Sequence, residues 1–229
     1  MTLSEAILAR HSVRAYIDQP IVGEVLSTLQ QKIEEVNAAG GLHIQLILEE
    51  PKAFLGPMSR YGRFRGVRNY LVMAGKKADD LDGRVGYYGE QIVLLAQTLG
   101  LNTCWVGVNY SKIPGTYVLG DDEKIACYIA IGYGATQGVP HRIKSPSEVS
   151  NAGEGTPKWF NDGVDAALLA PTAVNQQKFH FEYIPASGSV KPKVVARKGV
   201  SLIGYTQMDL GIAKCHFEIG ASTDNFEWE

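Results

Sequence analysis

The sequence predicts an α+β chain of the α/β-sandwich type. Segments with helical spacing alternate with short strand-like segments along most of the 229 residues. The order helix-then-strand also recurs after a stretch rich in Ser, Gly and Pro. Hydrophobic residues make up 45% of the chain, enough to build a sizeable core.

Taken in order, a first short helix is expected over Leu3–Ala9, with Thr2 and Glu5 at the spacing of a capping box. A second begins near Glu24; Val25, Leu29, Ile33 and Val36 share a face and Gly40-Gly41 stops it. His43–Leu48 alternates and reads as a strand, as does Asn69–Ala74. Tyr87–Leu99 is the longest apolar helix candidate, stopped by Gly100. Thr103–Val108 reads as a short strand or turn. Ile125–Ile131 is apolar throughout and reads as a strand buried on both faces. Ser145–Pro157 is the best linker candidate. Beyond it come a helix over Phe160–Ala170, a strand over Phe179–Tyr183 and a weaker helix over Leu210–Ile219. This order echoes the first part, so a degenerate duplication is expected, divided as 1–150 and 151–229.

The formal net charge of −2 argues against nucleic-acid or anionic-membrane partners, which would favour a basic surface. Cys104, Cys127 and Cys215 are far apart and form no Cys-x-x-Cys pair, which suits free thiols in a reducing cytoplasm. No apolar stretch approaches membrane-spanning length, and Glu5 and Arg10 interrupt any N-terminal signal core. A cytoplasmic location is expected.

Basic residues cluster locally. In extended chain, alternate residues of Arg10-His11-Ser12-Val13-Arg14 share a face, presenting two guanidinium groups and a hydroxyl suited to phosphate oxygens. By charge alone the run reads as a solvated basic stretch. Two further features weigh in. Ala170–Gln177 follows a helix with Pro171, Thr172 and Asn175, a neutral donor and acceptor set suited to the edge of a heteroaromatic ring, or to ordinary turn chemistry. Pro140–Lys144 is a second basic cluster just after a buried strand. Tyr61–Gly66 is a candidate for the pocket rim, or a solvated loop.

Several familiar motifs fail. After Gly132-Tyr133-Gly134 the third glycine, Gly138, falls one residue too late for G-x-G-x-x-G, and Pro140 blocks the helix that motif needs. There is no phosphate loop of the G-x-x-x-x-G-K-[ST] type and no G-x-S-x-G. The five histidines show no metal-binding spacing, so no metal ligand is expected.

Together these pieces resemble the FMN-dependent nitroreductase family, in particular a divergent subgroup with two fused, unequal halves. Arg10–Arg14 is similar to its R-R/H-S-x-R run. Ala170–Gln177 is similar to its A-P-S-x-x-N-x-Q. Leu99–Gly107 is similar to G-L-G-T-C-W-x-G, and Ile129–Gly134 to the strand ending in I-G-Y-P that precedes a basic tail. The resemblance implies a nitroreductase-like fold with a central, mostly antiparallel sheet and flanking helices. It implies FMN as cofactor. Arg10, Ser12, Arg14 and Arg142 would contact the phosphate and ribityl chain, with His11 acting through its backbone. Pro171, Thr172, Ala173 and Asn175 would line the isoalloxazine ring. Trp105, Val106 and Gly107 would lie along its other edge.

One departure matters. In the family the A-P-S-x-x-N-x-Q motif comes soon after the phosphate run, and in the ordinary homodimer it reaches the partner's flavin. Here the early position, Val36–Gly41, has lost it and the motif appears after the linker. The resemblance therefore implies a monomer acting as a single-chain pseudo-dimer with one flavin site, with a homodimer as the alternative. It implies electron transfer from NAD(P)H through flavin to a small electron-poor acceptor, nitroaromatic or quinone in type. No residue is assigned as a catalytic acid or base. The alternative function is an FMN-binding carrier or sensor without turnover.

Overall fold

The computed structural model describes residues 1–186 and 191–229. Helix α1 (Leu3–Ala9) opens the chain with the expected capping box between Thr2 and Glu5. Helix α2 (Gly23–Gly40) buries Leu29, Ile33 and Val36 and ends on Gly41, which adopts the left-handed conformation glycine tolerates. Asn37 then pins the exit: its side chain both donates to and accepts from the backbone of Ile44, at 2.9 and 2.8 Å.

The main sheet has the order β1-β2-β4-β3 and is antiparallel throughout. Its strands are β1 (Gln45–Ile47), β2 (Asn69–Lys76), β3 (Asn102–Val106) and β4 (Glu123–Gly132). A short helix, α3 (Pro57–Tyr61), lies between β1 and β2, and α4 (Leu81–Thr98) joins β2 to β3. β2 and β4 are the central strands. The apolar run read as a doubly covered strand is buried from Cys127 to Gly132. β1 is shorter than its alternating pattern suggests, since only three residues pair with β2.

The linker candidate is not featureless. It contains α5 (Pro146–Val149), opened by a capping box of Ser145 and Glu148, and Ser150 bridges to Phe181. Then come α6 (Lys158–Leu168), β5 (Phe179–Ile184), β6 (Lys193–Lys198), α7 (Thr206–Ala221) and β7 (Glu227–Trp228). β5 and β6 pair antiparallel, and β7 adds in parallel to β6.

One hydrophobic core runs across residue 150, with Leu71, Met73 and Ile92 from one side and Phe160, Phe181 and Phe217 from the other. Helices α4 and α7 cross with their backbones in contact. A Cβ on Gly86 would lie 2.1 Å from the Met208 carbonyl oxygen, and one on Gly211 would lie 2.2 Å from that of Gly83. These glycines explain why α4 begins six residues before the apolar pattern at Tyr87. By propensity Gly83 and Gly86 argue against a helix, but tertiary packing requires them. Arg84 supports this turn by pairing with Asp80 at 3.1 Å.

Candidate functional site

After α1 the chain runs through single backbone bridges rather than a strand. Ser12 bridges to Thr103, Ala15 to Arg65 and Tyr16 to Gly134. Val13 and Tyr16 turn into the core. Ser12 and Arg14 line a cavity of about 490 Å³, within the usual range for small-molecule sites, about 300–1,000 Å³. Trp105, Val106 and Gly107 line it from the end of β3. At Gly107 a Cβ would sit 2.7 Å from the Tyr205 hydroxyl, so only glycine lets that ring close over the backbone.

Arg10 does not share this face. It is 3% exposed. Its Nε lies 3.8 Å from Glu90 Oε1, and its Nη2 donates to the Leu169 carbonyl at 3.4 Å. Glu90 and His216 are fully buried beside it. Glu90 Oε2 accepts from the Trp105 indole at 2.8 Å, and Oε1 lies 2.9 Å from His216 Nε2. His216 Nδ1 faces the Ala166 carbonyl at 3.1 Å. Both ring nitrogens therefore face oxygens.

The opposite wall comes from beyond residue 150. Pro171, Thr172, Ala173 and Val174 line the cavity. Val174, Asn175 and Gln177 all have positive φ (47°, 57° and 44°), a conformation that is strained for β-branched valine above all. Hydrogen bonds hold the loop in place. Asn175 Nδ2 and Gln177 Nε2 donate to the Arg142 carbonyl at 2.8 and 2.9 Å. Lys144 Nζ donates to the Gln177 carbonyl at 2.9 Å. The Ala173 N–H donates to Asp209 Oδ1 at 2.9 Å, and Gln176 Nε2 donates to Asp209 Oδ2 at 2.7 Å.

Of the twelve expected residues, Ser12, Arg14, Trp105, Val106, Gly107, Pro171, Thr172 and Ala173 line one cavity. Arg10, His11, Arg142 and Asn175 do not. The Asn175 amide is spent on the Arg142 carbonyl, and the Arg142 side chain is exposed. His11 packs beside Gly138, so the two basic clusters adjoin. Burial and Arg10 hold the His11 imidazole below its ordinary value. Burial also depresses His141, against the opposing pull of its contact with the Leu168 carbonyl.

Of the rim candidate Tyr61–Gly66, Tyr61, Gly62, Arg63 and Phe64 line the cavity and Arg65 and Gly66 do not; Val108, Val174 and Ile203 are exposed around it. Tyr205, Met208, Asp209 and Ile212 were not anticipated. The one available signal was Asp209, a lone carboxylate in the apolar run Met208–Ile212. It is 2% exposed, and burial pushes its carboxyl up to about 6 against the pull of its two hydrogen bonds. Among the described residues no helix is long and apolar enough to cross a membrane.

The sequence model of the family described as "Putative TM nitroreductase" matches residues 2–221. The chain belongs to that family. A "putative nitroreductase" of Thermotoga maritima MSB8 is 21% identical with a TM-score of 0.66, covering 96% of this chain and 83% of that one. A variant of an FMN- and NADPH-dependent nitroreductase from Sphigopyxis sp. strain HMH is 17% identical with a TM-score of 0.52, over 68% of this chain and 100% of that one. A "putative nitroreductase in complex with FMN" from Exiguobacterium sibiricum 255-15 is 16% identical with a TM-score of 0.51, over 65% and 95%. No curated protein matches the chain. These likenesses identify the antiparallel sheet with its flanking helices as the nitroreductase fold.

Proposed function

We propose that this nitroreductase-family chain is an FMN-dependent oxidoreductase, carrying electrons from NAD(P)H to a small electron-poor acceptor of nitroaromatic or quinone type. The observation that carries the reading is the meeting, in one cavity, of a cationic wall and a neutral one. Ser12 and Arg14 offer a hydroxyl and a guanidinium to a phosphate. Pro171, Thr172 and Ala173 present an uncharged surface to a ring. Gly107 leaves room for close approach. This donor set fits FMN. Structural relatives whose descriptions name FMN support it further.

Bound FMN supplies the two-electron chemistry, and the chain supplies binding, orientation and electrostatics. Arg14 neutralises the phosphate with help from Ser12, while His11 contributes backbone and Arg142 stands at the exposed edge. Arg10 acts from behind, held between Glu90 and the Leu169 carbonyl. The Trp105–Gly107 backbone would lie along the edge of the bound ring and could offer it N–H groups, and Glu90 fixes the Trp105 indole beside them. Val106, Met208 and Ile212 exclude water. Asn175 holds the loop that carries Pro171–Ala173.

Residues 1–150 and 151–229 are proposed to act as two unequal halves of a pseudo-dimer with one flavin per chain, since the neutral loop belongs to the second. The Sphigopyxis protein aligns over its whole length while leaving about a third of this chain unmatched, which supports the fusion.

The test is the visible spectrum of the purified protein before and after NAD(P)H, with flavin stoichiometry and sedimentation. One flavin per monomer, bleached on reduction, is expected. A colourless protein that ignores added FMN overturns the cofactor. Two flavins per chain or an obligate dimer overturns the pseudo-dimer. Arg14→Ala should weaken FMN binding by about 10-fold or more without lowering the melting midpoint.

A further inference from the structure

We propose that Asp209 is the positioning residue of this site, its buried carboxylate locking the loop Pro171–Gln177 onto α7 in the shape that receives the flavin ring. The inference rests on the FMN reading above and adds what holds the loop. Asp209 lies in the first turn of α7, 2% exposed. Its two oxygens are divided between the Ala173 N–H and the Gln176 amide, on either side of the left-handed Val174 and Asn175. The Gln176 amide spans a further 3.0 Å to the Gly204 carbonyl, drawing in the segment before Tyr205. One carboxylate thus gathers two loops that line the same cavity.

Two observations separate this from an ordinary acidic residue in a first helical turn. Among the described residues no cation lies within ion-pairing distance of Asp209, so the carboxylate is buried without the charge partner such groups usually need. Its donors come from the loop, not from the N–H groups of its own helix. The adjacent Met208 carbonyl packs against Gly86, which fixes where along α4 the carboxylate stands. The loop cannot hold its strained backbone by local preference. It is held from outside, and Asp209 is the group that reaches it.

The experiment compares the full-length chain with Asp209→Asn and Asp209→Ala. Amide hydrogen exchange at Ala173 is followed in the flavin-free protein, and FMN is titrated by fluorescence. In Asp209→Ala, exchange at Ala173 should rise by about 10-fold or more and FMN should bind about 10- to 100-fold more weakly. The melting midpoint should not fall, because a desolvated charge has been removed. Asp209→Asn should rescue in part, since its carbonyl oxygen can still accept from Ala173. Unchanged exchange and unchanged FMN affinity in Asp209→Ala overturns the proposal, and so does loss of the fold in both variants. If the wild type itself fails to bind FMN, the flavin reading falls, while the exchange result still decides whether Asp209 holds the loop.

Discussion

On one side of the cavity, Ser12 and Arg14 ride on backbone bridges to Thr103 and Arg65, with the four-stranded sheet beside them and the Arg10–Glu90–His216 cluster behind. On the other, Pro171–Gln177 is a loop with three non-glycine residues in left-handed conformation, held by side chains. The first wall owes its shape to main-chain pairing and the second to a few polar groups. Damage to the buried cluster behind the first wall should therefore appear as lost stability, and loss of a loop anchor in the second as lost ligand affinity with the fold intact.

The largest effect is expected at Glu90. Glu90→Ala leaves Arg10 and His216 buried without their carboxylate, each keeping one backbone carbonyl, and takes the acceptor from the Trp105 indole; urea unfolding should show a loss of about 3–5 kcal/mol. A loss under about 1 kcal/mol would break the claim that the first wall rests on this cluster.

Acid titration of stability comes next. The folded-state value of about 6 for Asp209 stands above its ordinary 3.8. The folded state therefore binds this proton more tightly, and Asp209 removes stability as pH rises through that window, on the order of 2 to 3 kcal/mol. His11 and His141 act oppositely. Their folded values lie below the ordinary 6.5, so the stability they contribute is present above it and lost as pH falls through the folded values. Asp209→Asn should abolish the first trend and leave the second. Unfolding curves for both proteins between pH 4 and 7 would decide, and parallel profiles would contradict the assignment.

The smallest effect is expected at Val174, where glycine should relieve the left-handed valine and raise stability by about 1 kcal/mol at most. A clear loss would mean that the loop draws on the side chain, not only on its anchors.

Helix α2 was legible because Leu29, Ile33 and Val36 make one local stripe, and β4 because its apolar run is continuous. The motif residues that line the cavity were legible because each carries its chemistry in a short stretch. Arg10 was misjudged because its fate depends on Glu90 and His216, which lie far along the chain and which no local pattern links to it. Period two in an extended run predicts a shared face, but this run makes isolated bridges at Ser12, Ala15 and Tyr16 rather than a ladder, so the alternation did not hold at its first residue. Strand β6 was missed because charges at Lys193, Arg197 and Lys198 flank only three apolar residues, and it pairs as part of a small sheet. The early start of α4 was hidden by the two glycines that α7 needs.

Those glycines also give the molecule a fixed reference point. With Met208 seated on Gly86, α7 has no side-chain cushion through which to slide along α4. Asp209 therefore stands at one depth on α4, and the loop is bonded to it there. Like two machined parts located from a common datum, the cavity walls keep their spacing although one wall is sheet and the other is loop. The site opens between the exposed Tyr61, Val108, Val174 and Ile203, and its depth is set by a contact too small to hold a methyl group.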